Sequence, residues 1–99
     1  MTEAARKVIA SLSKSEKEVA LRDLDKEDWR KWCNPEFILF NCGLRLEHID
    51  EIKVGYIMDL VKCSLSEHGW AKFRGAMKTN KFLGEICARQ AILNEKSYL

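Results

Sequence analysis

The sequence lacks every local signature that would declare a reaction. It has no Gly-rich phosphate loop, no His-Glu-x-x-His motif and no paired-carboxylate signature, so nothing in it establishes an enzyme. It has no apolar run near the roughly 20 residues that a membrane-spanning helix requires, and no membrane partner is expected. The four cysteines, Cys33, Cys42, Cys63 and Cys87, include no Cys-x-x-Cys pair. Cys33, Cys42 and His48 match no familiar zinc spacing, so neither a metal nor a cofactor is expected. A marked excess of one charge is also missing. The formal net charge of +2 is too small to point to nucleic acid. Glu3, Arg6 and Lys7 interrupt the N-terminal apolar residues, so no export leader is visible. The expectation is a cytoplasmic protein with reduced thiols.

What is present is ordinary globular composition. The 99 residues, 46% hydrophobic and 32% charged, suit a single helical domain over 1–99 and argue against disorder. No internal repeat or low-complexity segment occurs. Thr2 is placed to cap a first helix in which Ala4, Ala5, Val8, Ile9 and Leu12 recur at helical spacing. Ser13 with Glu16, or Ser15 with Glu18, supplies a capping box for a short second helix carrying Val19, Ala20 and Leu21. The charge run from Arg22 to Asp28 reads as a connection. After it, Trp29 and Trp32 would share one face of a helical turn. Asn34-Pro35-Glu36 is a helix-start signal, and Gly43 would end that element in a left-handed conformation. Between them Phe37-Ile38-Leu39-Phe40 fits helix or strand, and residues 36–40 stay open between the two.

From His48 to about Leu65 the helical signal is strong. At about 100° per residue, Ile49, Ile52, Tyr56, Leu60 and Cys63 form one apolar stripe. Val54, Ile57, Met58, Val61 and Leu65 form a second, and a helix apolar on two sides requires neighbours on two sides. The stretch 66–88 repeats that pattern, its start capped by Ser64 with Glu67 or by Ser66. Trp70, Phe73, Ala76, Met77, Leu83, Gly84 and Cys87 share a broad face, while Phe82 and Ile86 point elsewhere, beside Gly75. A helix-interior glycine costs about 1 kcal/mol relative to Ala, so Gly75 and Gly84 imply close approach by another backbone. This demand for burial exceeds what the N-terminal helices can cover, and residues 94–99 offer no helix stop. The expectation is a chain cut short, or one that depends on a partner.

Two groups of residues could carry a site. Asn80 lies between Phe73 and Cys87 on the helical wheel, and its amide must find hydrogen bonds. Either it bonds a backbone group and fixes packing, or it orients a polar group of a ligand. Arg74, Lys78, Lys81 and Arg89, with Glu85 among them, share another strip. That strip is either a solvated charged face or an anion site for carboxylate or phosphate, with Arg74 as the bidentate partner. No aromatics suited to stacking on bases interleave it, which again disfavours nucleic acid. His48 and His68 fall in first helical turns without an adjacent triad arrangement, so a surface position is expected for each.

The run Asp28-Trp29-Arg30-Lys31-Trp32-Cys33-Asn34-Pro35-Glu36-Phe37, followed by Gly43-Leu44-Arg45-Leu46-Glu47, resembles a family. It is the uncharacterised domain-of-unknown-function family thirty-five hundred of bacteria and fungi. Ser64-Leu65-Ser66 with Gly69-Trp70-Ala71-Lys72-Phe73-Arg74-Gly75-Ala76-Met77 is similar to that family's central stretch. Asn80-Lys81-Phe82-Leu83-Gly84-Glu85 and Leu93-Asn94-Glu95-Lys96-Ser97-Tyr98 resemble the family's next blocks. The likeness runs in order from about Ala4 to Tyr98. The chain departs at Trp70, Lys78 and Lys96, where the family usually has Tyr, Arg and an aromatic; Lys78 weakens a bidentate anion role there. Family members continue past this segment into a Gly-His-His block with a nearby Trp, the better place for metal or catalytic chemistry. The resemblance therefore implies a truncated relative. If the family is enzymatic, it carries Arg74, Asn80 and Glu85 over as ligand contacts.

These patterns predict an all-α fold, an irregular bundle of about five helices organised on an antiparallel pair at about 48–65 and 66–88. They leave two functions open. One is a non-catalytic helical module that completes its core by self-association, as a homo-oligomer, or with a protein partner. The other is the helical portion of a small-molecule enzyme whose catalytic remainder is missing from the chain, with a small or anionic ligand beside Arg74 and Asn80.

Overall fold

The computed structural model describes residues 1–24, 27–30 and 43–97. Among them every regular element is helical: α1 (Thr2–Ser11), α2 (Lys14–Ala20), α3 (Glu51–Ser64) and α4 (Glu67–Ile86). Short 3-10 turns occur at Glu27–Arg30 and Leu46–His48. The all-α expectation holds, with four α-helices among these residues rather than about five. The expectations for Trp32, for Cys33 and Cys42, for the Asn34-Pro35-Glu36 start and for residues 36–40 lie outside the described residues. Among the described residues no helix is long and apolar enough to cross a membrane.

The helix boundaries follow from their caps. Ser13 supplies the capping box of α2: its hydroxyl accepts the Glu16 N–H at 3.2 Å, and its own N–H donates to the Glu16 carboxylate at 2.6 Å. Met1, not Thr2, precedes α1, and no side chain caps that helix. Helix α3 starts later than expected. Asp50 is extended, and its carboxylate accepts the Lys53 N–H at 3.0 Å, which leaves His48 in the preceding 3-10 turn. Ser66 caps α4 by accepting the Gly69 N–H at 3.1 Å, while the Ser64 hydroxyl donates back to the Leu60 carbonyl.

The packing is less symmetrical than the sequence implies. Helix α1 lies against α3 in the largest helix–helix contact, and α3 meets α4 in a smaller one. The two stripes are used unequally: Val54 is buried and Ile57, Met58 and Val61 are half-buried, while the other stripe is covered at Ile49 and Leu60 alone. On the other stripe, Ile52 is 70% exposed and Tyr56 is exposed as well. The core joins Leu46, Val54 and Met77, with Ile49, Ile57, Met58 and Phe73 packed around them. On α4 the inner seam runs Trp70, Phe73, Met77, Asn80, Gly84, and the Trp70 and Phe73 rings stack with centroids 5.8 Å apart. Ala76, Leu83 and Cys87, expected on the same face, are exposed.

The sequence places the end of this helix at about residue 88, and α4 closes at Ile86. Helix α4 ends in a Schellman arrangement: Arg89 N–H donates to the Gly84 carbonyl at 2.9 Å and Ala88 N–H to the Glu85 carbonyl at 3.4 Å. Ala88 occupies the left-handed position with φ 52. Glycine usually sits there, because a Cβ in that conformation costs roughly 1–2 kcal/mol. The residue that makes the stop was not singled out from sequence, because it is not the one the geometry favours. Ala88→Gly is therefore expected to stabilise the folded chain by about 1 kcal/mol in a urea titration.

A second restraint ties α2 to α3. The Lys53 ammonium donates to both Glu16 oxygens at 2.9 Å and pairs with Asp50 at 3.2 Å. The hydrogen bond from Lys53 holds the Glu16 carboxyl below its ordinary value of 4.5, and the Lys53 backbone N–H does the same to Asp50. Those bonds, Glu16 first, raise the Lys53 ammonium above 10.5. Lowered carboxylates contribute stability that is present above their unfolded values and lost as pH falls through the folded ones. A raised lysine contributes stability that is present below 10.5 and lost as pH rises through its folded value. The restraint is thus complete between about 4.5 and 10.5. Urea titrations at descending pH should show an acid loss of stability that is shallower in Lys53→Met.

Candidate functional site

The residues singled out from sequence converge on the turns that follow α4. Asn80, one turn beyond the buried Met77, points its amide at that segment. Its Nδ2 donates to the Asn94 carbonyl at 2.8 Å and to the Ser97 hydroxyl at 2.9 Å. Ser97 in turn accepts the Asn94 N–H at 3.1 Å and donates to the Asn94 carbonyl at 3.0 Å. The Asn94 side chain is equally engaged. Its Nδ2 donates to Glu47 and to the Gln90 carbonyl, and its Oδ1 accepts the Lys96 N–H at 2.8 Å. Glu47 turns its other oxygen to Arg45, and Lys96 pairs with Glu51 at the start of α3. One amide on α4 is thereby linked to the chain that enters α3.

Gly84 explains how the segment comes so close. A Cβ built there would collide with the Leu93 carbonyl oxygen and lie 2.9 Å from its carbon. The close approach expected at Gly84 is present. Gly75 instead faces open space and has no neighbour that requires glycine.

Arg74 and Glu85 are placed differently. Arg74 Nη2 lies 3.4 Å from Glu95 and its side chain is 41% exposed, a geometry worth little in water. Glu85 lines an open groove of about 290 Å³ together with Lys81, Gln90, Leu93, Glu95 and Lys96. Two ammonium groups alternate there with two carboxylates, so the groove offers no excess of positive charge to an anion. The structure therefore brings Asn80, Arg74 and Glu85 to one side of the molecule, each with a different neighbour. His48 and His68 are both exposed. Among the described residues no group of three or more His, Cys, Asp or Glu is placed to hold a metal ion.

Sequence reasoning missed Glu47, Leu93, Asn94 and Ser97. Asn94 lies 14 residues from Asn80 and 47 from Glu47. No helical or strand periodicity links positions so spaced. The one local signal was the pair of small residues, Asn80 and Gly84, four apart on a helix that otherwise buries large side chains.

A chain whose regular elements among the described residues are all helical, with its C-terminal turns pinned to α4, is the class that fold and site define. The chain belongs to the family described as "Protein of unknown function (DUF3500)", which it matches over residues 1–98. This is the family that the sequence blocks resemble. No curated protein and no solved structure matches it.

The polar links differ in worth. Asn80→Ala removes two donors from half-buried acceptors and should cost about 1–3 kcal/mol. Arg74→Ala breaks an exposed pair and should cost about 1 kcal/mol or less. Chemical denaturation of the two variants beside the native chain reads the difference directly.

Proposed function

We propose that this chain, as a single helical domain over 1–99, is a non-catalytic cytoplasmic module that completes its core by self-association or with a protein partner. The observation that carries the reading is the exposed apolar surface on otherwise regular helices. On α4, Phe82 is 61% exposed, Ile86 66% and Leu83 44%, and they lie within one turn of each other. Ile52 and Tyr56 repeat the pattern on α3, one turn apart. Complete burial of such a side chain is worth roughly 1.5–3 kcal/mol, so a second protein surface has several unspent contacts to gain. The order of helices places α3 and α4 in succession, and an antiparallel course for that pair would present both strips for contact.

The alternative is the helical portion of a small-molecule enzyme. The groove beside Glu85 favours it, with Lys81 in its lining as a cation for a polar ligand. Its volume sits at the lower limit of small-molecule pockets and its lining is mixed in charge. Both amide hydrogens of Asn80 are already engaged within the chain. These features support the packing role for Asn80 over the ligand role.

Sedimentation across a range of protein concentrations tests the first reading. The native chain is expected to form an oligomer that dissociates on dilution, and Phe82→Glu with Ile86→Glu should yield a monomer of unchanged helicity. A native chain that stays a folded monomer at every concentration, with no protein partner recovered, would count against it.

A further inference from the structure

We propose that α4 has a second state in which it runs on without a break through Ala88 to about Lys96, and that segment 89–97 is a latch whose release makes the helix continuous. The observation is a conflict between local preference and the folded chain. The helix stops at Ala88, which holds φ 52 without the help of a glycine. The next residues, Arg89-Gln90-Ala91-Ile92-Leu93, include no Gly and no Pro. Ala, Arg, Gln and Leu are among the strongest helix formers, so this run would extend α4 if nothing opposed it. Where local preference and tertiary structure disagree, the folded arrangement stands only as long as its long-range contacts outweigh the local preference.

Long-range contacts hold the break in place. Asn80 fastens Asn94 and Ser97, Glu47 accepts from Asn94, and Leu93 lies over Gly84. Several of these groups are half-buried and open to competition from water. Gly84 is informative because only the folded-back state needs it. Its missing side chain admits the Leu93 carbonyl in the folded-back state, and it disfavours helix in both.

The continuous helix would also change the surface. At about 100° per residue, Leu93 would fall in line with Phe82 and Ile86, extending an apolar stripe already exposed in the folded-back state. The proposal does not depend on what covers that stripe.

Carbon chemical shifts of residues 88–96, with far-ultraviolet ellipticity, test the latch in the full chain. Gly84→Ala blocks the folded-back state and favours helix, so it should move residues 88–96 to helical shifts and raise the ellipticity. Ala88→Gly should leave them at folded-back values. The proposal is overturned if Gly84→Ala keeps the folded-back shifts, or if it gives coil shifts with no gain in ellipticity. Should Gly84→Ala fail to fold, judged by the shifts of α3, Asn94→Ala releases the latch from the segment's own side. Helical shifts at 88–96 in that variant support the proposal, and folded-back or coil shifts overturn it.

Discussion

Two hydrogen bonds from the Asn80 amide are the constraint on which the C-terminal half of the molecule depends. The core that α3 and α4 share is small, with Leu46, Val54 and Met77 as its buried members. Apolar packing gives α4 few neighbours, because α3 meets it in the smaller of the two helix–helix contacts. Asn80 supplies what packing does not. By fixing Asn94 and Ser97 it places a turn that also bonds Glu47 and Glu51, and so joins the last helix to the chain entering α3. A half-buried amide loses water on folding and is costly to leave unpaired, and here both hydrogens find acceptors, which makes the arrangement selective for one position of the segment.

The same geometry leaves the opposite surfaces unfinished. Once segment 89–97 occupies the seam of α4, Phe82 and Ile86 face outward and are left without a cover among the described residues. The first stripe of α3 shares that condition through Ile52 and Tyr56. Chemistry is sparse on both surfaces. The charged groups nearest the groove alternate in sign, and the histidines stand apart on the surface. The proposed helical module completed by another protein surface draws on these exposed strips.

How much of this was legible depended on the range of the interaction. The α2 capping box, the two long helices and the inward position of Asn80 are local patterns, and each was readable from spacing. The ambiguity between Ser13 and Ser15 resolved in favour of the one whose Glu also reaches Lys53, 37 residues away. Both apolar stripes of α3 were visible, but spacing could not say which one would find a neighbour. The end of α4 near residue 88 was readable, but not the left-handed Ala88 that makes it, a conformation that its side chain disfavours. The candidate site was legible on its α4 side alone; its other half comes from Glu47, Asn94 and Ser97, which no short-range pattern connects.

A double-mutant cycle between Asn80 and Ser97 tests the central claim most directly. If Asn80 acts through the C-terminal turn, the losses from Asn80→Ala and Ser97→Ala overlap, and the double variant is more stable than their sum by about 0.5–3 kcal/mol. Additivity within about 0.3–0.5 kcal/mol would contradict the account, because Asn80 would then stabilise α4 without the turn that it holds.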